Sequence, residues 1–369
     1  MNMGTEENIQ EEIQIFPLSK GKRFVAFAAD FALVFVIAFA LFHLAFYPLC
    51  SYASNLYGEQ EQCLKAQKER DLVLYGNKLL FYEEGKSDQE PSSYSANLVY
   101  TCSVYVSSLL GKSSSEGDVL RTYFVDLRKD EVRYLDFIKT KDTATQFFDY
   151  SPLVLKPQYA EEFAPFYEVG NAPSKKGEED YQKFQKEFFL PSYGAMIQEI
   201  GKEDLTYEGI SYVEKQNEVA SFNAKSNGIV LLSAGLAETV SLSIVFLVVP
   251  LLSKTRKTLG MLFLRRERVR VDGLTLVRKR TLPLHFLYAL FANAGLLFLL
   301  PWPIVSFNEL FAIPSLWQLS LLSLLFDLVS LFFLLFDKMD RTLVDKLTGT
   351  VMLEEEMMDA LYRAKGYGE

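Results

Sequence analysis

Three carboxylates fall inside long apolar runs of this chain: Asp30, Glu238 and Asp327. In hydrocarbon each costs a few kcal/mol unless it is protonated, paired or hydrated, so each should face other protein groups or a wet cavity. A carboxylate in a low-dielectric site prefers its neutral form, so a proton and a cation compete for it. Alternate exposure of such a site to the two sides of a membrane couples their movements. Polar residues recur beside these acids at helical spacing. Ser320, Ser323, Asp327 and Ser330 form one stripe on an otherwise Leu/Phe segment, and Gly235, Glu238 and Ser241 align in the same way. Asn293 lies among Ala289, Ala292 and Gly295, small residues that let helices approach closely. Two readings fit. In one, these groups hydrogen-bond to one another and hold a helix bundle together. In the other, Glu238 and Asp327 are an exchanging pair, with Asp30, Ser323 and Asn293 in support, and the set is a cation or proton site.

Other chemistry is scarce. The only histidines are His43 and His285, so no His or Cys metal cluster is expected. No phosphate loop, nucleophile elbow or dinucleotide fingerprint is present, so neither a cofactor nor an enzymatic activity is predicted. The three cysteines are Cys50, Cys63 and Cys102. A Cys63–Cys102 disulfide and three reduced structural thiols both fit, because spacing alone does not decide pairing.

The elements that must position the carboxylates are membrane spans. Phe24 to Cys50 is interrupted only by Asp30 and His43 and, as a helix, is about 40 Å long against a hydrocarbon layer of roughly 30 Å. Ile229 to Leu252, Leu284 to Val305 and Leu316 to Phe336 are also long enough. The third is expected to stop at Pro301-Trp302-Pro303, and the fourth to start after Pro314. A cleaved leader is the competing reading of the first run, but that run is too long, contains Asp30 and has no small-residue cleavage site after it. The predicted class is an α-helical integral membrane protein, a four-span bundle with an inserted mixed α+β domain.

Charge sets the orientation. The formal charge of −9 belongs wholly to one block, Ser51 to Asn227; the remainder is neutral. Between the second and third spans, Lys254, Arg256, Lys257, Arg265, Arg266, Arg268, Arg270, Arg278, Lys279 and Arg280 face only Glu267 and Asp272. Lys20, Lys22 and Arg23 precede the first span, and Lys338, Arg341 and Lys346 follow the last. All three basic groups fall on one side of a four-span bundle, which the positive-inside rule makes cytoplasmic. No segment is basic enough, beyond what orientation explains, to suggest nucleic acid.

The boundaries follow: residues 1–22 a cytoplasmic segment, 23–50 the first span, 51–227 an extracytoplasmic inserted domain and 228–252 the second span. A basic cytoplasmic loop occupies 253–282, spans three and four 283–306 and 315–336, and a cytoplasmic tail 337–369. Within the insert, Leu72 to Tyr82 reads as two strands about a Gly-Asn turn. Asp130 to Tyr150, Glu178 to Phe189 and Tyr193 to Ile200 read as helices, and Glu208 to Asn227 as a helix running into span two. Ser113 to Gly117 and Ala172 to Gly177 read as loops. Val269 to Val277 has the alternation and Asp272-Gly273 turn of a hairpin, and Glu354 to Lys365 reads as an amphipathic helix.

Two terminal motifs carry a resemblance. Arg23-Phe-Val-Ala-Phe-Ala-Ala-Asp30 opens the first span, and Phe336-Asp337-Lys-Met-Asp-Arg-Thr-Leu-Val-Asp345-Lys-Leu-Thr-Gly349-Thr-Val351 closes the last. This resembles the RDD family of membrane proteins, named for an arginine and two aspartates; on that match Arg23, Asp30 and Asp345 are the signature residues. Lys257-Thr-Leu-Gly260 is similar to the family's Gly-Gln-Thr-x-Gly-Lys cytoplasmic segment. Met261, Val344 and Thr348 stand where the family has lysine, histidine and alanine, and family members usually lack the long insert. The resemblance covers roughly 20–50 and 250–352. It implies a bacterial cytoplasmic membrane location and transport, with cation/proton antiport proposed for some members.

Arg23 and Asp30 share a helix face about 10 Å apart, and helical side chains lean toward the N-terminus, so Arg23 is predicted to pair with Asp337 or Asp345 instead. The functional expectation is transport of a small solute or cation coupled to protons. The alternative is a non-enzymatic receptor or assembly protein whose bundle anchors the insert for a ligand or partner. Four spans leave little room for a pore in one chain, so transport also predicts a homo-oligomer in the lipid bilayer.

Overall fold

The computed structural model of the protein describes residues 18–82, 94–139 apart from 113, 115 and 116, 144–150, 153–166, 174–253, 256–271, 281–305 apart from 303, and 314–364. The chain is mostly helical and divides into two compact units, Met1–Leu56 with Lys225–Glu369, and Tyr57–Ala224.

Among the described residues three helices are long and apolar enough to cross a membrane: Lys20–Ala53, Tyr212–Leu252 and Trp317–Phe336. Their outer faces carry exposed Val36, Leu44, Leu232, Leu325 and Phe332. These are side chains that a bilayer, not water, would solvate. The buried stripe of the first helix is Arg23, Ala26, Asp30, Val34 and Ala38, at steps of three and four. Val34, Ala38 and Phe42 bury in one cluster with Ala234, Ala237 and Val245 of the second long helix. Both helices widen into a π turn, at Phe42–Phe46 and at Ile244–Val248. Each turn ends two residues before a proline, Pro48 and Pro250. Proline lacks the N–H and crowds the carbonyl of the preceding turn, and one extra residue in the turn absorbs both defects without ending the helix.

The expected continuous span from Leu284 to Val305 is corrected. Its first part is the helix Leu282–Ala292; a turn at Asn293, Ala294 and Gly295 interrupts it, and Leu296–Leu299 follows. The cause is local. Asn293 has φ −102° and ψ 3°, off the helical region, and its Nδ2 donates to Ala289 O at 2.7 Å. Leu296 N then bonds Asn293 O at 2.8 Å instead of Ala292 O, and the freed Ala292 carbonyl accepts from Ser323 Oγ at 2.9 Å. Such a break is tolerated at membrane depth only where neighbouring groups satisfy the backbone, as Ser323 does.

A two-stranded antiparallel sheet joins Arg266–Arg270 to Thr350–Glu354, with Val269 opposite Val351. The hairpin expected at Val269 to Val277 is therefore corrected for its first strand, whose partner is the distant segment Thr350–Glu354. Val269, Val351 and Leu353 bury together with Met358 of the tail helix Glu355–Ala364, and a local hairpin would not supply that core. Asp272-Gly273 and the second strand lie outside the described residues, as do Lys254, Arg278, Lys279, Arg280 and Pro303.

The second unit is built on an aromatic core of Tyr105, Phe124, Phe147, Phe148, Phe163, Phe184, Phe188 and Tyr193. Among the described residues its strands are two short antiparallel pairs, Phe148–Tyr150 with Leu153–Leu155 and Thr206–Tyr207 with Ile210–Ser211. Leu72 to Gly76 is not a strand but the end of the helix Leu56–Gly76. The helix stops because Asn77 Nδ2 takes Val73 O at 2.8 Å and Lys78 turns to φ 59°. Asp130 to Tyr150 is not one helix: Glu131–Lys139 is followed by the helical turn Ala144–Phe147 and a strand. From Lys175 to Glu203 the chain is helical through a π turn at Phe184–Phe189, again two residues before a proline, Pro191. Ser174, expected in a loop, caps this helix by accepting from Gly177 N at 3.0 Å, so Lys175 to Gly177 form its first turn. Ala172, Pro173 and most of Ser113 to Gly117 lie outside the described residues. The helix expected from Glu208 begins at Tyr212, because Glu208 and Gly209 take φ 50° and 80° in a tight hairpin turn. All three cysteines are free; Cys63 and Cys102 are buried.

Candidate functional site

Asp345 is a hub. It opens the short helix Leu343–Thr348 in a capping box with Thr342, so its carboxylate is aimed before any tertiary contact forms. Arg23 Nη1 lies 3.4 Å from Oδ2 and Arg268 Nε 3.2 Å from Oδ1, while Thr350 Oγ1 donates to Oδ1 at 3.1 Å. Burial alone would raise this carboxyl, but Arg268, Arg23, His285 and the Thr342 hydroxyl together hold it below the usual carboxylate value. Arg23 also donates from Nε to Leu18 O and from Nη2 to Met352 O. One guanidinium thus ties the start of the first helix to the strand Thr350–Glu354. Of the two partners expected for Arg23, Asp345 is the one it meets. Asp337 is held instead by Arg341, whose hydrogen bonds lower its carboxyl to about 2.

Asp30 sits two turns further along. It accepts from Thr258 Oγ1 and from Gly260 N, both at 2.7 Å. Thr258 in turn caps the helix Leu259–Phe263 by accepting from Met261 N. A Cβ at Gly260 would lie 2.6 Å from Asp30 Oδ1 and 3.0 Å from its backbone N, so only glycine permits this approach. Asp30 is fully engaged in tertiary structure.

Between these groups lies a cavity of about 330 Å³, lined by Arg23, Asp30, Arg268, His285, Asn293, Asp327 and Asp345 together with apolar side chains of the first and last long helices. Arg268 Nη1 stands 3.4 Å from His285 Nδ1; a guanidinium only donates, which puts the imidazole proton on Nε2, and that atom has no partner among the described residues. Asn293 Oδ1, at the helix break, is likewise buried without a partner. Tyr288 and Ser330 add two hydroxyls to the lining. Asp327 is half-buried, and among the described residues no hydrogen bond or ion pair reaches its carboxylate. Of the predicted site residues, Asp30, Asn293 and Asp327 share the cavity with Arg23 and Asp345. Ser323 stands behind it, on the Ala292 carbonyl. Glu238 is not brought to it: it is 2% exposed, does not line the cavity, and its Oε1 has no partner among the described residues.

Sequence reasoning did not single out Thr258, Gly260, Arg268 or His285. Thr258 and Gly260 belong to a noted motif, but nothing local ties that motif to Asp30. Thr342-x-x-Asp345 was readable as a capping box.

The fold and cavity define a mostly helical protein with, among the described residues, three helices of membrane-crossing length and a charged site lined by them. Comparison with protein-family models, with curated proteins and with solved structures finds no match to the chain.

Proposed function

We propose that the protein is a carrier of the bacterial cytoplasmic membrane, resembling the RDD family, that exchanges a small cation or solute for protons at Asp327. The observation that carries this reading is the helix break at Asn293 to Gly295, beside a cavity holding a carboxylate without a partner. Interrupted helices whose irregular backbone lines a cavity are the usual construction of secondary transporter sites. A cation and a proton would compete for Asp327, while Tyr288, His285, Arg268, Arg23, Asp345 and Asp30 are the titratable or charged groups around them. Arg23, Asp30 and Asp345 are structural in this scheme, since each is already fully paired. The charge bias supports cytoplasmic termini and an outward segment 51–227, and the small bundle supports a homo-oligomer. In reconstituted vesicles with an imposed pH gradient, cation addition should dissipate the gradient with wild-type protein and not with Asp327→Asn.

A second reading, a non-enzymatic receptor or assembly protein, draws on the separate core of the unit Tyr57–Ala224. It predicts that Asp327→Asn leaves function intact while surface changes in that unit abolish it.

A further inference from the structure

We propose that the cavity beside Asp327 binds a monovalent organic cation with an apolar body, with the Asp327 carboxylate as its counter-ion. The proposal rests on the reading of Asp327 as the exchanging carboxylate and names the class of cation it exchanges.

Charge fixes the valence. The walls carry two guanidinium groups, Arg23 and Arg268, and three carboxylates, Asp30, Asp327 and Asp345. Asp345 holds both arginines, and Asp30 is satisfied by Thr258 and Gly260. The one negative charge left over is on Asp327, so a single positive charge neutralises the cavity.

The wall chemistry selects an organic cation over a bare metal ion. Hard metal ions take about six oxygen ligands at close range. Among the described residues the side-chain oxygens without a partner here are those of Asp327 and Asn293 Oδ1, and even with the neighbouring Tyr288 and Ser330 hydroxyls they are too few for such a shell. Among the described residues no group of three His, Cys, Asp or Glu side chains is placed to hold a metal. Much of the rest of the lining is carbon, from Phe24 and Phe27 of the first long helix and from Leu324, Leu328 and Leu331, which flank Asp327 on its own helix. An ammonium or phosphonium head can sit on Asp327 while its substituents fill that apolar part and an aromatic face of Phe27 or Phe24 meets the charge. A volume of about 330 Å³ is that of a small-molecule site.

The same five side chains are 41–61% exposed, so the cavity opens through the lipid-facing surface between the first and last long helices. A cation with an apolar body concentrates in the bilayer interface and can enter there. Inorganic ions do not.

The test uses the full chain in nanodiscs of phosphatidylcholine, with radiolabelled tetraphenylphosphonium at equilibrium and excess sodium or potassium chloride as competitor. Expected is saturable binding that neither salt displaces, weakened at least about tenfold by Asp327→Asn and by Leu324→Trp, which fills the apolar part and keeps the carboxylate, and retained by Asp327→Glu. Binding equal in wild type and both weakening variants overturns the proposal. Labelled sodium binding at Asp327 in place of tetraphenylphosphonium also overturns it, yet leaves the carrier reading standing. Asp327-dependent tetraphenylphosphonium binding without proton exchange in vesicles upholds the site and defeats the carrier.

Discussion

At Gly260 the first long helix and the segment after the second meet with no space to spare. Gly260→Ala must push its methyl into Asp30, separating the carboxylate from the Gly260 N–H; a loss on the order of 1–3 kcal/mol is expected, read as a lowered melting temperature in detergent. Arg23 and Asp345 belong to the same class of residue. They are buried, fully paired, and more informative about how helices and sheet are tied than about transport. In the second unit Asp118 is a different case. It caps a helical turn by accepting from Arg121 N and takes the Tyr134 hydroxyl, both at 2.9 Å, yet burial raises its carboxyl to about 6 despite those bonds. A folded-state value above the unfolded value of about 3.9 means the folded form binds the proton more tightly. The stability Asp118 contributes is therefore full below pH 4 and falls as pH rises through 6, by on the order of 2 kcal/mol. Thermal unfolding of wild type across pH 4 to 7 should show this slope, and Asp118→Asn should flatten it.

Among the elements, the broken third segment distinguishes this structure from a plain bundle. One asparagine does not bring the run from Leu284 to Val305 below spanning hydropathy, so the sequence reads as one apolar span; the break appears only through Asn293 bonding back to Ala289 and Ser323 donating to the freed carbonyl. Ser323→Ala leaves Ala292 O unsatisfied and should lower stability by roughly 1–3 kcal/mol. Gly295→Leu, which favours a continuous helix, should leave the protein folded but slow exchange in vesicles; an unchanged exchange rate would remove the break from the mechanism. Other elements were legible for plain reasons. The long apolar runs announce themselves by composition, and side-chain lean points Arg23 to Asp337 or Asp345; the choice of Asp345 was not legible, because it depends on Arg341 holding Asp337. The sheet between Arg266–Arg270 and Thr350–Glu354 was not legible, because strands so distant in sequence leave no joint local signal, and a turn dipeptide beside the first strand suggested a nearer partner. Leu72 to Gly76 misled for a related reason: short apolar runs suit strand and helix alike, and the packing of Val73 and Leu74 into the aromatic core decided it.

For the whole molecule, the acidic excess in 51–227 and the basic flanks of the apolar helices argue one orientation. In a Cys50→Ser background, where Cys63 and Cys102 are buried, Lys112→Cys should react with a membrane-impermeant maleimide on intact cells, and Leu347→Cys only after permeabilisation. The reverse pattern would invert the topology. Of the candidate site, the carboxylates were legible as costly charges in apolar runs, but their division of labour was not: Asp30 holds structure, Glu238 lies away from the cavity, and Asp327 alone faces it without a partner. The measurement that bears most directly on function is proton flux in vesicles carrying purified protein, an imposed pH gradient and a pH-sensitive dye, with sodium, potassium and tetraphenylphosphonium added in turn. Wild type should dissipate the gradient with at least one of these cations and Asp327→Asn with none. Equal dissipation by wild type and Asp327→Asn would contradict the assignment of exchange to Asp327.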